Sequence, residues 1–268
     1  MTVLLQVSDP HFGTERRPVA AALQVLVRHQ RPDLLVVSGD ITQRARRAQF
    51  AAARRYFDAL GIATRFMVPG NHDIPLLGLW TRCVDPYRHY RQALGPAGDR
   101  TMARDDLLLI GLNTTRPWRH TDGEVSSQQV EWAAAQLRQA RPGQLRVLVT
   151  HQPVHVVRER DAHNRLHGHA AAISAWSAAG ADLILGGHIH LPYVAELQAA
   201  FPQLPRRLWA LQAGTALSSR IRFEANNSVN LLRIAAGRRC IAERWDYHDA
   251  RAAFECTLQT EIDADHTA

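Results

Sequence analysis

Short runs of apolar residues, rich in Val, Ile and Leu, recur along the chain, and each leads directly into a small polar cluster. Val3-Leu4-Leu5-Gln6-Val7 leads into Asp9-Pro10-His11, Leu34-Leu35-Val36-Val37 into Gly39-Asp40, and Thr64-Arg65-Phe66-Met67-Val68 into Gly70-Asn71-His72-Asp73. Val147-Leu148-Val149 leads into His151, and Asp182-Leu183-Ile184-Leu185 into Gly187-His188-Ile189-His190. Runs of this length, ended by glycine or a polar residue, predict buried strands. Every cluster is then expected at the C-terminal end of a strand, where open α/β sheets gather their ligand sites.

Between these strands the pattern changes period. Val19, Leu23, Leu26 and Val27 recur at helical spacing, and so do Phe50, Ala53, Phe57 and Leu60, with Gly61 where a helix C-cap is expected. The first 75 residues therefore read as a parallel sheet wound by helices. Residues 76–100 carry a weaker helical pattern mixed with breakers, and Leu107 to Leu112 reads as a further strand. Ser126-Ser127-Gln128-Gln129 has the form of a capping box opening a helix through Val130, Ala134 and Leu137. A helix of roughly ten residues is expected before Gly180. Past His190 come four short strands, Pro192 to Leu197, Arg207 to Gln212, Val229 to Ile234 and Cys240 to Trp245. No linker or repeat interrupts the chain, so residues 1–259 are expected to be one domain whose second, later sheet packs against the first, with 260–268 a frayed polar tail.

Composition narrows the class. The 268 residues are 46% hydrophobic, ample for a substantial core. No apolar run approaches the roughly 20 residues that cross a bilayer, and Met1 enters a strand without a basic leader, so a soluble, cytoplasmic protein with no membrane partner is expected. Cys83, Cys240 and Cys256 are widely spaced, which argues against a disulfide framework or a zinc knuckle. All 32 basic residues counted in the net charge of +7 are arginine. They are dispersed and lack interleaved aromatics, so a nucleic-acid partner is not expected. Arg16-Arg17 and the group Arg44, Arg46 and Arg47 follow the first two clusters, where guanidinium groups suit phosphate as well as they suit a helix flank.

The clusters pool carboxylate, amide and imidazole groups without a thiolate, the donor set of a two-metal hydrolytic centre. Asp40 has two oxygens with which to bridge two cations, Asn71 supplies a neutral oxygen, and the histidines supply nitrogens. A water shared by two such ions loses a proton readily enough to be the nucleophile at neutral pH. Mixed oxygen and nitrogen ligation suits a transition metal such as Mn, Fe or Zn better than Mg. A lone histidine is more often structural than ligating, and His29, His89, His120 and His248 are read that way. His155, His163, His167 and His169 fall in a polar stretch after His151 that is read as a pocket wall. Gly39, Gly70 and Gly187 are expected to let the backbone turn sharply.

Asp9-x-His11, Gly39-Asp40, Gly70-Asn71-His72-Asp73, His151 and Gly187-His188-x-His190, in that order, resemble the calcineurin-like metallophosphoesterase superfamily. The resemblance implies a four-layer α-β-β-α sandwich of two mixed sheets, with a binuclear centre at strand C-terminal ends. It implies that Asp9, His11, Asp40 and His190 hold one ion and Asp40, Asn71, His151 and His188 the other. His72 would face the leaving-group oxygen, with Asp73 orienting it. Gln43 stands where purple acid phosphatases carry a tyrosine ligand, and Gly39-Asp40-Ile41-Thr42-Gln43 departs from the phosphoprotein phosphatase motif. The chain is thus most similar to the bacterial class III cyclic-nucleotide phosphodiesterase and glycerophosphodiesterase branch. That implies hydrolysis of a small phosphodiester by a protein that can be a homo-oligomer. The alternatives are a DNA nuclease or phosphomonoesterase of the same superfamily, or a scaffold that keeps the fold without the catalysis.

Overall fold

The computed structural model describes residues 1–76, 78–222 and 225–264. Among them the chain forms β1 (Thr2–Val7), α1 (Arg17–Gln30), β2 (Leu34–Ser38), α2 (Arg47–Ala59), β3 (Thr64–Val68), α3 (Leu79–Val84) and α4 (Arg88–Leu94). It continues through β4 (Arg100–Ala103), β5 (Leu107–Gly111), α5 (Ser127–Arg138), β6 (Leu145–Val149), α6 (His169–Ala178) and β7 (Leu183–Gly186). Five strands close it: β8 (Tyr193–Glu196), β9 (Trp209–Gln212), β10 (Ser228–Ile234), β11 (Cys240–His248) and β12 (Ala253–Ile262).

The strands make two six-stranded mixed sheets, ordered β12-β11-β10-β1-β2-β3 and β4-β5-β6-β7-β9-β8. Alternation along each central strand divides the core into layers, because successive side chains point to opposite faces. In β1 and β2, Val3, Leu5, Val7, Leu35 and Val37 pack against the helices α1 and α2. Leu4, Leu34 and Val36 face the other way, meeting Leu107, Leu109, Val147, Val149, Leu183 and Leu185 of the second sheet. Leu108, Ile110 and Leu148 point outward again, under α5 and α6. Both faces of every central strand are buried, which explains the unbroken apolar runs. The result is the expected α-β-β-α sandwich.

The helix starts follow their sequence signals. Ser126 Oγ accepts the backbone N–H of Gln129 at 3.2 Å, and Gln129 Oε1 accepts that of Ser126 at 3.2 Å, closing the capping box of α5. Gly61 follows α2 with φ +72°, the left-handed region that favours glycine.

The later strands depart from expectation. They do not form a sheet of their own: β8 and β9 extend the sheet of β5 to β7, while β10 to β12 extend the other beside β1. Each half of the sandwich is thereby completed by residues distant in sequence. The boundary expected after Gln259 falls inside β12, whose Ile262 pairs with Cys240, and residues 265–268 lie outside the described ones. The strand β4 was not signalled, its exposed and half-buried residues showing no apolar run. No described helix is long and apolar enough to cross a membrane.

At the end where the parallel strands begin, three side-chain contacts staple the sheets together. Thr2 Oγ1 donates to Asp106 Oδ1 at 2.9 Å, Trp209 Nε1 donates to the carbonyl of Asp263 at 3.1 Å, and Arg238 pairs with Asp182. The polar clusters all lie at the opposite end.

Candidate metal centre

The parallel strands β1, β2, β3, β6 and β7 deliver their C-terminal loops to one rim, and the loops brace one another. The Asp9 N–H donates to the Gly39 carbonyl at 3.1 Å, His11 N–H to Asp40 at 3.1 Å, and Gly187 N–H to His151 at 2.9 Å. Five predicted ligands hold left-handed backbone conformations: Asp9 (φ 49°), His11 (44°), Asp40 (48°), His188 (73°) and His190 (55°). For residues with a side chain this costs about 1–3 kcal/mol each, strain that persists where the surroundings impose it for a purpose.

Two of the three glycines act differently from expectation. Gly39 does carry a positive φ of 99°, and a Cβ there would also overlap His151. Gly70 has φ −106°, open to any residue, and Gly187 does not lie in the left-handed region; what both positions require is space. A Cβ on Gly70 would strike Asp40, and one on Gly187 would strike Ser8 and Asp9.

Two groups of ligand atoms result, with Asp40 between them. His190 Nε2 lies 3.3 Å from Asp9 Oδ1, His11 Nε2 lies 3.8 Å from Asp9 Oδ1, and the two imidazole nitrogens are 3.1 Å apart. On the other side His151 Nε2 lies 3.3 Å from Asp40 Oδ1 and 3.2 Å from Asn71 Oδ1, which is 3.1 Å from His188 Nδ1. Asp40 turns its other oxygen, Oδ2, toward His11 Nε2 at 3.7 Å. All seven predicted ligands are therefore brought together.

The donors fit divalent cations. Such ions hold nitrogen and oxygen at about 2.0–2.2 Å, which sets neighbouring ligand atoms about 3–3.5 Å apart, and the separations here run from 3.1 to 3.8 Å. Asp9 Oδ2 accepts Ser8 Oγ at 2.6 Å and the His188 N–H at 2.9 Å, whereas Asp9 Oδ1 is buried with no hydrogen-bond donor. An orphaned carboxylate oxygen facing imidazole nitrogens calls for a positive charge. His151 Nδ1 donates to the Ser38 carbonyl at 2.9 Å and His190 Nδ1 to that of Arg220 at 2.6 Å, so each keeps its Nε2 turned to the site.

Charge in the metal-free protein is balanced by protons. Burial opposes ionisation of Asp9, but His190 and then His151 outweigh it and hold the acid at about 2; Asp40 is lowered for the same kind of reason, chiefly by His151. Burial works against protonation of His151 too, yet Asp40 raises it to about 9, and Asp9 raises His190. Burial lowers His11 to about 3 and, with the neighbouring His151, lowers His188 to about 4.

His72 stands beside the first group, its ring edge-on to His11 with centroids 4.9 Å apart. His72 Nδ1 donates to the Gln43 carbonyl at 2.9 Å, and Nε2 receives a guanidinium N–H from Arg220 at 3.1 Å. Both nitrogens are thus engaged, although His72 lies within ligand distance of His11 and Asp40. Asp73 does not touch the ring. Its carboxylate accepts the N–H groups of Ile41 (3.0 Å), Thr42 (2.8 Å) and Gly70 (2.9 Å), so it clamps the second loop to the third, while the hydrogen bond on His72 Nδ1 goes to the Gln43 carbonyl. Burial and the charge of Asp40 push Asp73 up to about 7, against the pull of those N–H groups.

Three contributors escaped the sequence reading. Gln43 and Arg220 hold the His72 ring from opposite sides, and the His120 carbonyl accepts Asn71 Nδ2 at 3.4 Å. Arg220 lies eight residues beyond the end of β9, a strand parallel to β7, too far along the loop to carry the signal that marks the ligands. His155, His163, His167 and His169 make no contact with the predicted ligands; His167 faces Asp122 at 3.5 Å and His169 Nδ1 the Leu166 carbonyl at 2.9 Å.

Residues 2–192 match the Calcineurin-like phosphoesterase family, and the chain belongs to it. Over 202 residues it is 27% identical to the cAMP/cGMP dual specificity phosphodiesterase of Mycobacterium tuberculosis (strain CDC 1551 / Oshkosh), a match covering 70% of this chain and 61% of that protein. Over 175 residues it is 26% identical to a glycerophosphodiester phosphodiesterase of Enterobacter lignolyticus (strain SCF1), covering 57% of each. The chain thus spans less than two thirds of the length of either relative. In three dimensions it resembles a purple acid phosphatase from yellow lupin (Lupinus luteus) seeds, with a TM-score of 0.70, 10% identity, and coverage of 99% of this chain and 54% of that one. Family and ligand clusters together point to divalent metal ions.

Proposed function

We propose that the protein is a binuclear-metal phosphodiesterase acting on a small diester of the cyclic-nucleotide or glycerophosphodiester type. One observation carries this: Asp40 presents one oxygen to each of two ligand groups, Oδ1 at 3.3 Å from His151 Nε2 and Oδ2 at 3.7 Å from His11 Nε2. In this reading Asp9, His11, Asp40 and His190 hold one ion, and Asp40, Asn71, His151 and His188 the other. Bound ions of this kind acidify a water for attack and neutralise phosphoryl oxygens. The activities named for the two relatives support a diester substrate.

The chain's own groups divide the remaining work. With its Nδ1 proton given to Gln43, His72 offers Nε2 at the rim of the site, where Arg220 is its partner. An incoming phosphate oxygen competes for that guanidinium N–H, because a charge-assisted bond to phosphate is stronger than one to a neutral nitrogen. Arg220 then holds the phosphate, and His72 is released to accompany the departing oxygen. Hydrolysis of bis(p-nitrophenyl) phosphate tests the reading: it should need added Mn or Zn and stop with EDTA. Undiminished turnover in EDTA would exclude it. A panel of cyclic AMP, glycerophosphodiesters and monoesters then selects the substrate.

A further inference from the structure

The loop that holds His72 also carries three arginines. Gln43, whose carbonyl accepts His72 Nδ1, is followed by Arg44, Ala45 and Arg46, and Arg47 then opens α2. Ala45 is buried with a left-handed φ of 50°, a conformation that is costly for a residue with a side chain. Its neighbours impose it: the N–H groups of Arg44 and Arg46 both donate to Gln49 Oε1, at 3.0 and 3.4 Å, and that of Ala45 donates to Thr42 Oγ1 at 3.0 Å. The kink buries Ala45 and leaves the arginines on either side of it exposed.

Two cavities join these arginines to the site. A small one beside Asn71 and His72 shares Arg44 and Leu76 with a second of about 580 Å³, which Arg46, Arg47 and His89 also line. Small-molecule sites run from about 300 to 1,000 Å³, so the second has room for a sugar- or polyol-sized group. Beyond it a third cavity, of about 360 Å³, adds Arg54 and Arg88 from α2 and α4.

The lining is one-sided in charge. Among the described residues no Asp or Glu lines any of the three cavities, in a chain that has 25 of them. The acid on α2, Asp58, and the one between α3 and α4, Asp85, are drawn to Arg65 and Arg91 at 2.5 and 2.6 Å. Also among the described residues, the guanidinium groups of Arg44, Arg46, Arg47 and Arg88 have neither an ion-pair nor a hydrogen-bond partner. His89 Nδ1 is buried without a partner. Surface arginines placed only for solubility are normally interspersed with acids, and these are not. Trp80 and Trp118 are exposed nearby but line none of the three cavities, so the lining selects by charge.

Resting on the phosphodiesterase reading, we propose that the substrate is a small diester whose departing alcohol carries a second phosphate, bound in the 580 Å³ cavity by Arg44, Arg46 and Arg47. The cavities begin at His72, which stands beside the departing oxygen, so the alcohol that leaves is the one that enters them. A dianion answers uncompensated guanidinium groups better than a neutral or cationic head group does, and their planar forks match its oxygens. In the reaction the P–O bond to that alcohol breaks and water supplies the oxygen that replaces it. The alcohol leaves with a proton, its own phosphate intact.

The test compares glycerophosphoinositol with glycerophosphoinositol 4-phosphate, which differ by one phosphate, on metal-loaded protein. Wild type should show a kcat/KM about tenfold higher for the 4-phosphate, releasing glycerol 3-phosphate and inositol 4-phosphate. Glycerophosphocholine, with a cation in that position, should be the poorest of the three. In R46Q/R47Q the two inositol diesters should become nearly equal, whereas R46K/R47K should keep part of the preference. An unchanged melting temperature checks the fold of both variants. Raising ionic strength should shrink the preference in wild type, because exposed charges are screened. Equal kcat/KM for the two inositol diesters in wild type, or a preference that persists in R46Q/R47Q, overturns the second-phosphate site. Release of glycerol and inositol bisphosphate overturns the assignment of the departing alcohol. Failure of wild type to hydrolyse bis(p-nitrophenyl) phosphate removes the phosphodiesterase reading. Calorimetry then decides the cavity alone: the 4-phosphate must bind more tightly than its neutral twin in wild type and lose that advantage in R46Q/R47Q, and equal affinities in wild type overturn the site.

Discussion

Arg220 Nη1 donates to His72 Nε2 across 3.1 Å, while His72 Nδ1 is committed to the Gln43 carbonyl at 2.9 Å. Together these bonds define a neutral imidazole with its proton on Nδ1. A histidine so held has no proton on the nitrogen that faces the site. Proton donation to a leaving group then requires Arg220 to leave Nε2 and that nitrogen to take up a proton from solvent, giving an imidazolium that keeps its Nδ1–H on Gln43; a phosphate oxygen is the group that draws Arg220 away.

His72→Ala should keep full metal content and lower kcat on bis(p-nitrophenyl) phosphate by about 10²–10⁴. Arg220→Ala should instead raise KM by about tenfold and lower kcat less, and Arg220→Lys should recover part of the KM because a point charge keeps attraction without the planar fork. Steady-state kinetics beside metal analysis separates the two. Loss of metal in His72→Ala would make that residue a ligand.

Asp40→Asn tests the bridge. The substituted amide still accepts the His72 N–H, which Asp40 Oδ1 receives at 2.8 Å, so the loop should survive. It has only one good acceptor oxygen and no charge to share between His151 and His11. Metal content should fall at both positions together, with activity, as measured by elemental analysis after gel filtration. Retention of one ion per chain would show that the two groups fill independently.

Metal binding should release protons, and the direction follows from the imidazoles. At pH 7 His11, lowered to about 3, and His188, lowered to about 4, are already neutral. His151, raised to about 9 by Asp40, carries a proton in the metal-free protein, and Asp9 shifts His190 in the same direction. An ion displaces those protons, so affinity should weaken as pH falls, by about tenfold per unit for each proton released. Titrating Mn or Zn into weakly buffered apoprotein with a pH indicator should register proton release, about one proton from His151 and a further share from His190. No release at pH 7 would contradict the charge balance.

The candidate site was legible because each predicted ligand follows an apolar run, and a run buried on both faces advertises its strand strongly. Asp9, His11, Asp40, Asn71, His151, His188 and His190 were all predicted that way, and the fold brings them together. Gln43, Arg220 and the clamping role of Asp73 were not, because they act through a backbone carbonyl, a guanidinium reaching between loops, and an acid accepting backbone N–H groups. None of these leaves a periodic trace. The sheet order of the later strands was hidden for a related reason: β9 and β10 are adjacent in sequence yet sit in different sheets, and only the free edges of β7 and β1 decide that. β4 and the end of β12 are polar enough on their outer faces to read as loop and tail.

The sandwich should be most vulnerable at the end away from the metal. Asp182, fully buried before β7, accepts the backbone N–H of Arg146 at 2.9 Å and the guanidinium of Arg238, which is 4% exposed in the turn between β10 and β11. The pair joins the two sheets at a point where neither charge reaches water. Asp182→Ala removes one partner and leaves a buried guanidinium uncompensated, a loss of about 3–5 kcal/mol. Arg238→Met in the same background removes the stranded charge while keeping an apolar stem, and it should return most of that stability. Urea unfolding of the single and double variants measures the difference. If Asp182→Ala loses under about 1 kcal/mol, the pair is open to solvent and the sheets are held by their apolar faces alone.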